Sequence, residues 1–326
     1  MPENKPSILP PWPSYLFTLI ALVALVTLVR VKSIADTAEQ QVDVTPANPV
    51  FDSLTANTDA GTHNILTGNF IPVEAGNNSV RVTAQISDPN GCANISNVAI
   101  TLFSTGYDYT QGDLQWKSYS GAVPSTDGVH FTDCTGAADT SAQVYLDYPL
   151  RSFVNPGDWT IRVEITDFDG LITVDTSNHF TVNSLAAFST DGSIDYGTVA
   201  LSAVSLEKTL TFTNTGNVSV DATVKASTQG ALVGDMTEPS GNFDVIPASN
   251  VHYSKTSGFV HAAGAAVSKL TAQDFAINLP NQTVDDIIPG ENAPTVPTYW
   301  KLLMPDSGVN GQYSNTLELT AVTWVP

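Results

Sequence analysis

The sequence predicts an all-β protein, two antiparallel β-sandwiches in tandem preceded by one hydrophobic helix. Three observations carry this reading. Leu16 to Val29, LFTLIALVALVTLV, is an unbroken apolar run. From Val50 onward apolar residues recur with a period of two between turn signals. Charged residues make up only 13% of the chain, while Thr, Ser, Asn, Val and Gly are abundant. Those residue types fit pleated surfaces and turns better than helices.

The N-terminal elements follow in order. Residues 1–12 read as a cytoplasmic tail whose Pro10 and Pro11 keep the chain extended. Residues 13–32 read as a helix; Ile8 to Val31 would reach across a hydrocarbon core of about 30 Å. Two readings of it stand side by side. Trp12, Tyr15, Arg30 and Lys32 are the interfacial aromatics and flanking cations of a retained transmembrane anchor. Ser33-Ile34-Ala35 would serve as the small-residue cleavage site of a signal peptide. The cations after the helix mildly oppose an exported C-terminal part, but long domains translocate largely regardless of charge. The expected location is therefore extracellular or at the cell surface, with the membrane as partner if the helix is retained. Residues 33–49 form a polar stalk in which Gln41 to Val44 has the makings of a lone strand.

Residues 50–183 are expected to form the first sandwich. Val80, Val82, Ala84 and Ile86 alternate with polar neighbours, Asp88-Pro89-Asn90-Gly91 turns the chain, and Val98, Ile100 and Leu102 resume as a hairpin-like partner. Gly106 to Thr140 reads as a long polar excursion. Val144 to Leu150 is a strand, and so is Trp159 to Ile165, where a one-residue slip would bury Arg162 and Glu164. Asp167-Phe168-Asp169-Gly170 ends that strand before a closing strand or pair within Leu171 to Val182.

Residues 184–192 read as a linker and 193–326 as the second sandwich. Its expected strands are Ile194 to Val199, Leu206 to Thr213, Val218 to Ala226, Phe243 to Tyr253, Phe275 to Leu279, Tyr299 to Met304 and Leu317 to Trp324, with a short helix within His261 to Lys269. Asn214-Thr215-Gly216-Asn217 is a tight turn.

VRVTAQISDPNG and GDWTIRVEITDFDG resemble the extracellular Ig-like modules of prokaryotic surface proteins. LTFTNTGNVSVDATV with the later GQYSNTLELTAV is similar to a second secreted sandwich, found in surface-layer, adhesin and TasA-like filament proteins. The resemblance implies Ig-like folds and a cell-surface location, and it brings no active site with it.

Charge and chemistry narrow the function. The cations and acids of residues 1–39 cancel, so the whole net charge of -20 falls on the rest of the chain. Phosphate backbones would be repelled, which excludes nucleic acid. Cys92 and Cys134 are the only cysteines and in an exported chain read as one disulfide, worth about 3–4 kcal/mol for a loop of this length. Asn77, Asn94, Asn217 and Asn281 open N-x-S/T sequons and are glycosylation candidates. Asp88, Asn90, Asp167 and Asp169 are Ca²⁺ candidates, although the same letters build turns. No other cofactor is expected.

Lys208 shares parity with Leu206, Leu210 and Phe212, which points an ammonium at the core. An isopeptide bond to Asn315, with Glu318 beside it, would resolve that, as would a snorkelling side chain. The five histidines form no zinc motif, the Asp285-Asp286 pair reads as a solvated loop, and neither a nucleophile elbow nor a P-loop occurs.

The expectation is thus a non-enzymatic surface protein, structural or adhesive, in an envelope or filament. It would associate with itself or with other surface proteins, with Gln40 to Val44, extended to Phe51, donating a strand to a neighbour. The alternative is a glycan- or protein-binding module using Tyr107, Tyr109 and Trp116.

Overall fold

The computed structural model describes residues 45–324 apart from 59–62, 75, 112–115, 137, 227, 230–231, 269–272 and 281–292. The hydrophobic run, the stalk through Val44, Asn281 and Asp285-Asp286 lie outside the described residues. Among the described residues no helix is long and apolar enough to cross a membrane, and helical structure there is limited to four short 3-10 turns.

In the first sandwich the strands are β1 (Val50–Thr58), β2 (Asn77–Ser87), β3 (Ile95–Ser104), β4 (Ser118–Pro124), β5 (Phe131–Thr132), β6 (Ser141–Arg151), β7 (Gly157–Asp167) and β8 (Ile172–Val182). One antiparallel sheet has the order β1-β2-β6-β5 and the other β4-β3-β7-β8. The period of two explains both. Val80, Val82, Ala84 and Ile86 of β2 and Trp159, Ile161, Val163 and Ile165 of β7 are all fully buried between the sheets.

β2 and β3 are not a hairpin. The 3-10 turn Cys92–Asn94 carries the chain from one sheet to the other, so two runs that each bury one face become an arch across the core. Val50 and Phe51 pair with Ser87 and Ile86 of their own sandwich, which removes them from any donated strand. The polar excursion hides β4, whose Ser-Tyr-Ser-Gly-Ala-Val-Pro sequence lacks a strong apolar alternation and pairs with β3 along its whole length.

The second sandwich continues with β9 (Phe188–Thr190), β10 (Lys208–Asn214), β11 (Val220–Ala226), β12 (Thr228–Gln229), β13 (Leu232–Val233), β14 (Val251–Ser254), β15 (Ala265–Ala266), β16 (Gln273–Leu279), β17 (Thr295–Leu302) and β18 (Leu317–Thr323). A five-stranded sheet β15-β14-β17-β10-β9 faces a three-stranded sheet β16-β11-β18. Trp300, Phe212, Phe275 and Tyr253 fill the space between them, with Tyr253 and Phe275 ring centroids 4.3 Å apart. The buried Thr298 hydroxyl accepts from the Trp300 indole N–H at 2.9 Å and donates to the Leu210 carbonyl at 2.7 Å, satisfying the polar atom that Trp brings inside.

Three expected elements differ. Ile194 to Val199 carries no strand, because Asp195 and Gly197 close a local turn there. Of Phe243 to Tyr253 only the end is strand, beyond Pro247 and a 3-10 turn over Ala248–Asn250. His261 to Lys269 is a 3-10 turn followed by the two-residue strand β15. The expected linker 184–192 contains β9, which pairs with β10.

The Asn214-Thr215-Gly216-Asn217 turn joins the two sandwiches. Asn217 is fully buried; its carboxamide oxygen accepts from Leu185 N–H at 2.6 Å and its NH₂ donates to the carbonyls of Val154 (3.0 Å) and Asn183 (2.9 Å). Gly216 lies so close to Leu185 that a Cβ would sit 2.1 Å from its carbonyl oxygen. Thr215 donates to Glu74 of the first sandwich at 2.9 Å. This corrects Asn217 as a glycosylation candidate, because its NH₂, the group a glycan would modify, is fully buried with both hydrogens donated to backbone carbonyls.

Asn217→Ala leaves the Leu185 N–H and two carbonyls without partners in a buried site, an expected loss of about 2–3 kcal/mol. The check is the urea midpoint of unfolding. An unchanged midpoint would show that the joint contributes nothing to stability.

Candidate interaction surface

The residues singled out in the sequence scatter over the fold. Cys92 and Cys134 are bonded, Cα to Cα 5.9 Å, tying the arch to the loop before β6. Asn94 is half-buried and its amide donates to the Asp169 carboxylate at 3.2 Å. Asn77 is the first residue of β2. Asp88 and Asp167 are buried, and each uses Oδ1 to accept a backbone N–H, from Asn90 and Leu171 respectively, at 2.7 Å. Asn90 Oδ1 accepts from Ala47 N–H at 2.7 Å. Among the described residues no group of three or more His, Cys, Asp and Glu is placed to hold a metal ion.

The isopeptide geometry is not present. Leu206 is 83% exposed rather than inward, since β10 begins only at Lys208 and no strand parity extends back to it. Lys208 is half-buried opposite Trp300. Glu318 belongs to the other sheet and pairs with Lys225 at 3.0 Å, while the Asn315 amide donates to the Gly234 carbonyl at 3.1 Å.

The aromatic excursion folds onto the outer face of the β4-β3-β7-β8 sheet. Trp116 is 2% exposed under the Lys117 ammonium, 3.8 Å from its ring centroid, and Tyr109 packs on Phe103 and Arg162. Trp116 is therefore not available as a sugar-stacking platform, which corrects its part in that expectation.

One flank of the second sandwich is open. Among the described residues β18 lies at the edge of its sheet, paired only with β11. Its inward side chains Leu317, Leu319 and Ala321 are only half-buried, whereas Val220, Ala222, Val224 and Ala226 on the neighbouring β11 are closed off completely or nearly so. Between β18 and the opposite sheet runs a groove of about 300 Å³, lined by Leu317 and Leu319 on one side, Leu210 and Val251 on the other, and Ile194 and Tyr196 along the rim. Burial pushes the Tyr196 phenol well above its ordinary pKa, so it stays a neutral hydroxyl. The strand expected over Leu317 to Trp324 is present as Leu317–Thr323. The alternation shows which face is apolar but not whether a neighbour covers it.

The first sandwich has a comparable groove of about 320 Å³ between β4 and β6. There Tyr119 and Tyr148 close the core beneath it, with the Tyr148 hydroxyl donating to Ile100 O at 2.6 Å.

No protein-family model matches this sequence, and no curated protein matches it. Solved structures similar to it include the chaperone–tip adhesion subunit complex of Csu pili from Acinetobacter baumannii, at 11% identity and TM-score 0.34 over 78% of this chain and 96% of that one. The C-terminal domain of the antigen I/II-family protein AspA from Streptococcus pyogenes is similar at 14% identity and TM-score 0.24, covering 86% of this chain and all of that one. OgpA from Akkermansia muciniphila is similar at 12% identity and TM-score 0.24 over 44% of this chain, which spans 30% of OgpA's length. At these TM-scores the likeness carries no argument about function.

A histidine pair sits beside β14. His252 and His261 stack with ring centroids 3.9 Å apart, their ring nitrogens facing the His261 and Asn250 carbonyls. Burial lowers the His261 pKa below its ordinary 6.5, with further lowering by His252 and Lys301. The neutral form is thus the one the fold prefers. Stability is fully present above about pH 6.5 and is lost as pH falls below it toward the folded-state value. The carboxylates of Asp127, Asp139 and Asp191 are held below their ordinary 3.8 by hydrogen bonds, so their contribution is lost only at more acid pH. The urea midpoint is expected to drop between pH 7 and pH 5, and His261→Gln to flatten that drop. A wild-type midpoint constant over this interval would contradict the assignment.

Proposed function

We propose that this is a non-enzymatic protein of the cell exterior, structural or adhesive, whose copies join head to tail by strand addition. The observation that carries the reading is the open flank of the second sandwich: an edge strand that, among the described residues, pairs with β11 on one side only, above half-covered leucines. Such an edge accepts an extended segment whose backbone continues the sheet and whose alternate side chains enter the groove. The occupant is Gln40 to Thr45 of another copy, in which Val42 and Val44 are the alternate side chains that would face Leu317 and Leu319.

The ends of the folded body support a partner in trans. Ala47 hydrogen-bonds Asn90 at the turn after β2, and Pro49 O accepts from Thr173 at the start of β8. Asn217 meets Val154 and Asn183, at the start of β7 and the end of β8. The N-terminal segment and the second sandwich therefore lie at opposite ends of the first, whose strands of 11 residues are about 36 Å long. Six extended residues span at most about 22 Å. A contact between one molecule's end and another's flank is heterologous and propagates as a filament unless it closes into a ring. The exported location rests on the Leu16 to Val29 run and the Cys92–Cys134 bridge.

The test is assembly of the full chain, followed by light scattering and electron microscopy. Wild type is expected to form filaments or rings. A Val42→Pro, Val44→Pro double variant, which removes two backbone donors, is expected to stay monomeric, as is Leu319→Glu. Assembly persisting in both variants would overturn strand addition.

A further inference from the structure

Asp88 and Asp167 hold an unexplained pair of oxygens. Asp88 is the first residue after β2 and is fully buried, and Asp167 ends the inward series of Trp159, Ile161, Val163 and Ile165 on β7. β2 and β7 belong to opposite sheets, and Asp88 and Asp167 are both buried at the same end of the sandwich. The backbone connects them: Gly91 N–H donates to Asp88 O, Asn94 N–H to Gly91 O, and Phe168 N–H to Asn94 O, at 2.8–2.9 Å.

The two turns are chemically alike. In Asp88-Pro89-Asn90-Gly91 and Asp167-Phe168-Asp169-Gly170 the first aspartate uses Oδ1 to hold a backbone N–H, and glycine takes positive φ. In each, Oδ2 is buried and has no hydrogen-bond partner. The residues themselves are 0% and 2% exposed. Neighbouring polar groups are turned elsewhere: Ser96 Oγ donates to the Thr166 and Asp167 carbonyls, the Asn94 amide to Asp169, and Asn90 Oδ1 accepts from Ala47. Among the described residues no Lys, Arg or His forms an ion pair with either aspartate. A buried carboxylate with an orphan oxygen is strongly unfavourable unless a cation or a proton meets it.

We propose that a divalent cation, Ca²⁺, binds between Asp88 and Asp167 and ties the two sheets together at this end. Hard carboxylate oxygens with no nitrogen or sulfur donor favour Ca²⁺ over zinc or copper. Main-chain carbonyls and water complete the shell. Two carboxylates supply little charge, which places the affinity with the weak extracellular sites, on the order of 10⁻⁴–10⁻³ M. The site also bears on the N-terminal segment, since Asn90 lies two residues from Asp88 and holds Ala47.

The experiment is thermal unfolding of the full chain in detergent at pH 7, in EDTA and in Ca²⁺ or Mg²⁺ at about 10 mM, well above that affinity range. Ca²⁺ is expected to raise the midpoint by about 3 °C over EDTA, and Mg²⁺ by less than half of that. Asp88→Asn and Asp167→Asn, which keep the carboxamide oxygen for the turn, are expected to abolish the rise. Should either variant fail to fold, terbium luminescence of the wild type, sensitised by its aromatic residues and displaced by Ca²⁺, reads the same site. The proposal is overturned by the absence of a Ca²⁺ shift, by an equal Mg²⁺ shift, or by a shift that survives both substitutions. It is equally overturned if the Asn variants are more stable than wild type in Ca²⁺, or if no displaceable terbium signal appears.

Discussion

The buried carboxamide of Asn217 is the constraint on which the rest of the molecule depends. One side chain satisfies a backbone N–H and two carbonyls in a place that water does not reach, and it holds the end of the first sandwich against the start of the second. Each of those groups would be costly to leave unpaired, so the joint behaves as part of a core rather than as a linker. Gly216 makes it possible, because only a residue without Cβ lets the Leu185 backbone come so near. The polarity of the molecule follows: the chain enters at the far end of the first sandwich, and the open flank lies on the second.

The two sandwiches solve the same packing problem unequally. In the first, four strands on each side bury aliphatic rows and Trp159, and the arch through Cys92 is tied by a disulfide. In the second, five strands face three, so part of the five-stranded sheet lacks a counterpart. The irregular stretch around Ile194 and Tyr196 covers some of that surface without offering backbone pairing, and the groove beside β18 is what it leaves open.

How much of this the sequence shows depends on what its periodicity can encode. Alternation marks a strand and its buried face, which is why Val80 to Ile86, Trp159 to Ile165 and Val218 to Val224 are legible. It does not say which strand lies alongside, so β2 and β3 look like a hairpin when they form an arch between sheets. β4 is hidden because Ser118, Ser120 and Gly121 supply no apolar contrast, and the Leu146 side chain packs where a Cβ on Gly121 would sit. Asn217 misleads for a related reason. A sequon and a buried clamp use the same letter, and only the backbone packed around the amide tells them apart. The open flank is the least legible feature, because incomplete burial of Leu317 and Leu319 is a property of what is absent beside them.

The acidity of the chain bears on how copies can meet. With a net charge of -20, two molecules repel at long range, so any self-association must rest on short-range backbone hydrogen bonds and apolar contact rather than on charge complementarity. The groove carries no charged residue: Ile194, Tyr196, Leu210, Met236, Val251, Leu317 and Leu319 line it together with Thr190, Gly192, Ser193, Asn315 and Thr316, and the proposed occupant's Val42 and Val44 would bring no cation to it. Adding salt shortens the range of the repulsion and leaves backbone pairing largely untouched. Association through this surface, as proposed, would therefore strengthen as ionic strength rises, whereas association through Lys225–Glu318 or Arg81–Asp147 type ion pairs would weaken.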